Sequence, residues 1–161
     1  MHLKKMMDMS GRVAIVAGGT GFLGAQCCEA LLECGARVYA VSRGKSSEFS
    51  DELRGTHPVT FDVINVDLSK PGEVDWLVTS VMDEADRIDV LVNAACDWPT
   101  ELDFTTTSWA DIRGTLEANL VSPLYLTRLV FEHMRDLGRG GSIVFLGSMY
   151  GKVAPDHRIY R

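Results

Sequence analysis

Residues Val13 to Gly24 read Val-Ala-Ile-Val-Ala-Gly-Gly-Thr-Gly-Phe-Leu-Gly: an apolar run that breaks into glycines three residues apart and continues as a helical pattern. A strand that turns straight into a helix is the opening of a parallel-sheet unit, because parallel strands need a crossover that a helix supplies. Gly18, Gly21 and Gly24 leave the backbone bare where the free N–H groups and positive dipole end of the helix point outward. Such a turn is expected to hold a diphosphate, and a side chain at any of the three is expected to block its approach. Thr20, Phe22 and Leu23 lie between the glycines and belong to the same expected contact surface.

The rest of the chain repeats the alternation. Apolar runs at about 12–17, 36–41, 59–66, 88–93 and 142–147 read as strands. A helix over 22–34 turns Ala25, Cys28, Leu31 and Leu32 to one side and stops at Gly35. A second, over 71–86, starts at Pro71 and repeats Val74, Leu77, Val78, Val81, Met82 and Ala85 at three- and four-residue steps. A third starts at Ser108, whose spacing to Asp111 suits a capping box, and runs to about Leu137 through Gly114 and Pro123, either as one bent helix or as two joined ones. The pattern predicts an α/β protein with a doubly wound parallel sheet. The 161 residues are expected to form a single dinucleotide-binding domain, with 97–107 as the longest polar loop.

Charge and cysteine usage narrow the partners. With 16 basic and 22 acidic residues the net charge is −6, which gives no footprint for nucleic acid or an anionic membrane. No apolar run is long enough to cross a bilayer, and residues 1–10 lack the apolar core of a signal peptide. Cys27, Cys28, Cys34 and Cys96 have no Cys-x-x-Cys spacing and read as reduced, buried thiols of a cytoplasmic protein.

Four separated segments resemble one family, the short-chain dehydrogenase/reductases. They are Ala17-Gly18-x-x-Gly21-x-x-Gly24, Asp67-Leu68 after the third strand, Asn93-Ala94-Ala95-Cys96 after the fourth, and Gly141 to Ser148 around the fifth. The resemblance runs from about Gly11 to Ala154 and implies a Rossmann fold, a nicotinamide dinucleotide cofactor and a small-molecule alcohol or carbonyl substrate. It implies that Asp67 and Leu68 lie against the adenine, that Asn93, Ala94 and Ala95 line the cofactor, and that Ser148 donates to the substrate carbonyl. It further implies that Asn119 holds a water of a proton relay. Pro123 has no N–H, so it deprives the carbonyl of Asn119 of its helical partner and predicts a bend at 119–123, with the i to i−4 ladder interrupted there. The second strand ends Val41-Ser42-Arg43 with no acidic residue, and Arg43 can bond a ribose 2′-phosphate, so NADP is expected over NAD.

The family's proton donor is a Tyr followed four residues later by a Lys. Tyr160 stands twelve after Ser148, but Arg161 closes the sequence, and Ala154 sits where the Lys of Tyr150 would be. Residues 148–160 also look similar to members linked with flagellin and surface-sugar modification, in which this loop is longer. The domain is therefore expected to be truncated before the Tyr/Lys segment, incomplete at its C-terminal end and inactive as it stands. An unassisted tyrosine is only about 0.1% ionised at pH 7. The glycine spacing leaves a second reading, a nucleotide-sugar epimerase or dehydratase, and the missing Tyr/Lys pair leaves a third, a non-catalytic dinucleotide-binding protein. A homo-oligomer is expected for the full-length protein. The helix carrying Tyr125, Leu126, Leu129, Val130, His133 and Met134 is open either to subunit contacts or to burial on the sheet.

Overall fold

The computed structural model describes residues 3–44, 48–97, 105–154, 156 and 158. Strands β1 (Val13–Ala17), β2 (Arg37–Ser42), β3 (Phe61–Asn65), β4 (Val90–Asn93) and β5 (Ser142–Phe145) form one parallel sheet in the order β3-β2-β1-β4-β5. The helices are α1 (Leu3–Met6), α2 (Phe22–Glu33), α3 (Glu48–Thr56), α4 (Pro71–Ala85), α5 (Trp109–Leu116) and α6 (Ser122–Asp136). Every residue of β1 is buried, because alternate side chains feed two separate cores. Val13, Ile15 and Ala17 join Val74, Leu77 and Val81 of α4 and Leu126 and Val130 of α6. Ala14 and Val16 face the other way, onto Cys28 and Leu32 of α2 and Leu53 of α3. Each such side chain contributes about 1.5–3 kcal/mol on full burial, so the two-sided strand is the backbone of the fold.

Several expected boundaries shift. β3 and β4 begin two residues later than expected, and β5 ends at Phe145 rather than 147. Helix α3 was not legible: its sequence is polar, and only Ser50 and Leu53 are buried. The expected loop keeps Asp97 and 105–107 among the described residues, whereas 98–104 lie outside them, as do Tyr160 and Arg161. Ser108 forms its capping box, accepting from Asp111 N at 3.2 Å while its own N–H donates to the Asp111 carboxylate at 2.9 Å.

The helix runs on past Pro123, and its ladder changes register two residues before the expected span. Residues Glu117–Val121 form a π turn between α5 and α6, with Ser122 N donating to Glu117 O across five residues. The face of α6 carrying Leu126, Val130 and Met134 is spent on the sheet, and Tyr125 and Leu129 are partly packed there too. Of the cysteines only Cys28 is buried; Cys27 and Cys34 are half-buried and Cys96 is exposed, which corrects the expectation for those three. All four are free. No described helix is long and apolar enough to cross a membrane.

At the start of β4, the Asp89 carboxylate ties the segment that enters β1 to its own loop. It accepts from Arg12 Nη1 at 2.8 Å, Val13 N at 2.9 Å and Arg87 Nε at 2.7 Å. Burial pushes its carboxyl up, but these hydrogen bonds outweigh it and hold the group at about 2. A carboxyl whose pKa falls on folding adds stability above its ordinary value of 3.8, and that stability is lost as pH drops from there through about 2. Asp89→Asn should cost about 1–3 kcal/mol near neutral pH and flatten the loss of stability between pH 4 and 2, read by denaturant unfolding across that range. An acid transition as steep as in the wild type would contradict this role.

Candidate dinucleotide cleft

The sheet changes direction of winding between β1 and β4, and at the carboxyl ends of those strands a cleft of about 290 Å³ opens. Its lining includes Gly18, Ser42, Arg43, Asp67, Leu68, Ala94 and Ala95, all expected from the sequence. It also includes Cys96, Asp97, Ala118 and Ser122, which were not. Thr20, Gly21, Phe22, Leu23, Gly24, Asn93, Asn119 and Ser148, also expected at the site, are not part of that lining.

The glycines serve the protein's own packing before any ligand. Gly18 has φ +74, and a Cβ there would lie 2.7 Å from the backbone of Ala95. A Cβ on Gly24 would stand 2.1 Å from Gly18 O, so the first turn of α2 seats directly on the strand end. Gly19, passed over in the sequence, is equally tight, at 2.7 Å from Ala40 Cβ. Gly21 is the least crowded of the three, yet its Cβ would still press on Gly18 O at 3.2 Å, closer than an ordinary contact. Gly21 caps α2 with no side-chain bond, which leaves the first-turn N–H groups of Phe22, Leu23 and Gly24 without intrahelical acceptors. Those N–H groups and bare glycines are what a diphosphate requires, so the residues present fit a dinucleotide. Cys28 braces the turn, its thiol donating to Gly19 O at 3.6 Å, and burial pushes that thiol up to about 12, keeping it protonated.

On the β2 side, Thr20 Oγ1 donates to Ser42 Oγ at 2.8 Å and Gly44 N donates to the same oxygen at 3.2 Å, fixing the strand end against the glycine turn. Arg43 follows, with Nη2 3.5 Å from Asp97 Oδ1. Asp67 accepts from Ser69 Oγ at 2.7 Å and Ser69 N at 3.1 Å. The Ser69 hydroxyl, helped by the charges of Lys70 and Arg43 and opposed by burial, holds the Asp67 carboxyl below its usual value, so it is an acceptor at neutral pH.

On the β4 side, Asn93 is buried and its Nδ2 donates to Thr127 Oγ1 of α6 at 3.1 Å, while its Oδ1 has no partner. Asn119 is exposed rather than buried, and its amide grips the backbone of Asp97: Oδ1 accepts from Asp97 N and Nδ2 donates to Asp97 O, both at 2.8 Å. Ser148 is exposed and caps the 3₁₀ turn Met149–Gly151, accepting from Tyr150 N at 3.1 Å. A cap uses a lone pair of the hydroxyl and leaves its hydrogen available.

A strand-glycine-helix turn at the switch point of a parallel sheet defines a dinucleotide-binding α/β fold. The short chain dehydrogenase family model matches residues 12–160, and the chain belongs to that family. It is 32% identical over 152 residues to an uncharacterized oxidoreductase of Schizosaccharomyces pombe, covering 91% of this chain and 54% of the relative. It is 30% identical over 159 residues to the L-fucose dehydrogenase of Bos taurus, covering 93% and 54%. A short-chain dehydrogenase from Streptomyces avermitilis superposes with a TM-score of 0.80 at 28% identity, over 89% of this chain and 52% of that one. The chain thus spans about half the length of the curated relatives it matches. The family is one of oxidoreductases that use NAD(P).

Gly24→Ala should destabilise the fold by about 1–3 kcal/mol through overpacking, whereas Gly21→Ala should stay within about 1 kcal/mol of wild type. Thermal unfolding of the pair checks this, and equal losses would contradict the packing assigned to Gly24.

Proposed function

We propose that this chain forms the cofactor-binding part of an NADP(H)-linked oxidoreductase acting on an alcohol or carbonyl substrate. The observation that supports it most is the joining of two features in one cleft. One is the turn at Gly18–Gly24 with its unpartnered helix N–H groups; the other is a guanidinium, Arg43, at the end of β2 where no carboxylate of that strand end would repel a 2′-phosphate. Bound there, nicotinamide supplies or accepts the hydride. Asp67 and Leu68 take the adenine end, and Ala94 and Ala95 back the opposite wall. Ser148 Oγ–H donates to the substrate oxygen and stabilises the charge that grows on it. Asn119 orders a water through its main-chain carbonyl, which lies within the π turn that precedes Pro123. The name of the bovine relative supports a sugar hydroxyl as the substrate class.

A charge-assisted contact to a phosphate is worth about 1.5–3 kcal/mol, so Arg43→Ala should weaken NADP binding about tenfold or more while leaving NAD nearly unchanged. Calorimetric titration of both dinucleotides into the wild-type and variant chains measures this, and unchanged dissociation constants for both would remove the NADP preference.

A further inference from the structure

Arg43 does not lie free at the edge of the cleft. Its nearest acid is Asp97, which stands on the other wall, beyond β4, so the ion pair spans the space between the two strand ends. Both side chains keep about half their surface in solvent, 56% for Arg43 and 49% for Asp97. Asp97 itself is not free to swing away, because the amide of Asn119 holds its main-chain N–H and C=O at once. Its carboxylate therefore projects from a clamped backbone toward the one cation in the described lining of the cleft.

We propose that Asp97 is a specificity-determining residue: its carboxylate is the resident counter-ion of Arg43, and a ribose 2′-phosphate has to displace it to bind. This rests on the reading of Arg43 as the 2′-phosphate ligand. The exchange is favoured because a phosphate brings more charge and a better match to the planar guanidinium fork than one carboxylate oxygen at 3.5 Å. It is opposed because the displaced carboxylate stays close to the phosphate, with Asp67 also nearby in the same lining. NAD carries a 2′-hydroxyl in place of the phosphate and leaves the pair intact. The Asp97–Arg43 contact thus narrows the advantage of NADP over NAD that Arg43 alone would give. Because Asn119 holds only main-chain atoms of residue 97, Asp97→Asn removes the charge and leaves that clamp in place.

The test is a calorimetric titration of NADP and NAD into the wild-type chain, D97N, D97S and R43A, at low and at raised ionic strength. D97N and D97S should each bind NADP about two- to tenfold more tightly than wild type with NAD unchanged, and the gain should shrink with added salt, as expected for an exposed pair. If R43A loses its NADP preference but both Asp97 variants keep the wild-type ratio, the counter-ion role is overturned and the NADP reading stands. If R43A leaves the ratio untouched, or if the wild type takes up neither dinucleotide, both are overturned.

Discussion

The close seating of Gly18 against the backbone of Ala94 and Ala95 is the contact on which the rest of the site depends. β1 and β4 are neighbours in the sheet, and their chain ends meet without an intervening side chain. The cleft beside them is lined by the ends of β2 and β3 on one side and by Ala118 and Ser122 on the other. Gly24 repeats the device at the start of α2, seating the first turn of that helix directly on Gly18 O. The atoms that pack the fold are the same ones proposed to face the anion, so substitution at Gly18 or Gly24 disturbs the packing before it can report on binding.

What the sequence made legible follows from how its side chains are used. Strands buried on both faces must be apolar throughout, so β1, β2 and β4 announced themselves. Helix α4 did so through four buried positions on one face, and Ser108 through a cap whose two partners are three residues apart. Helix α3 gave no such signal, since so little of it is buried. Gly19 was hidden because its constraint comes from Ala40 on the neighbouring strand rather than from the spacing of the turn.

The polar contacts of the cleft were the least legible part. Asn119 and Asp97 are 22 positions apart, and the bonds between them use the main chain of Asp97, which carries no residue-type signature. Arg43 could be singled out by its place after β2, but its pairing with Asp97 depends on how the ends of β2 and β4 face each other across β1. Pro123 was the exception: a missing N–H predicted a disturbed ladder, and the chain answers with a π turn that shifts the register instead of leaving a gap. That turn sets Asn119 where its amide reaches Asp97, so a local backbone constraint in the helix reaches the far wall of the cleft.

Whether the first turn of α2 holds a diphosphate is read most directly from a titration of the ¹⁵N-labelled chain with NADP and NAD followed by amide nuclear magnetic resonance. Saturable shifts led by the N–H groups of Phe22, Leu23 and Gly24 are expected with either dinucleotide. Shifts confined to other parts of the sheet, with those three amides unmoved at saturation, would contradict a diphosphate site there.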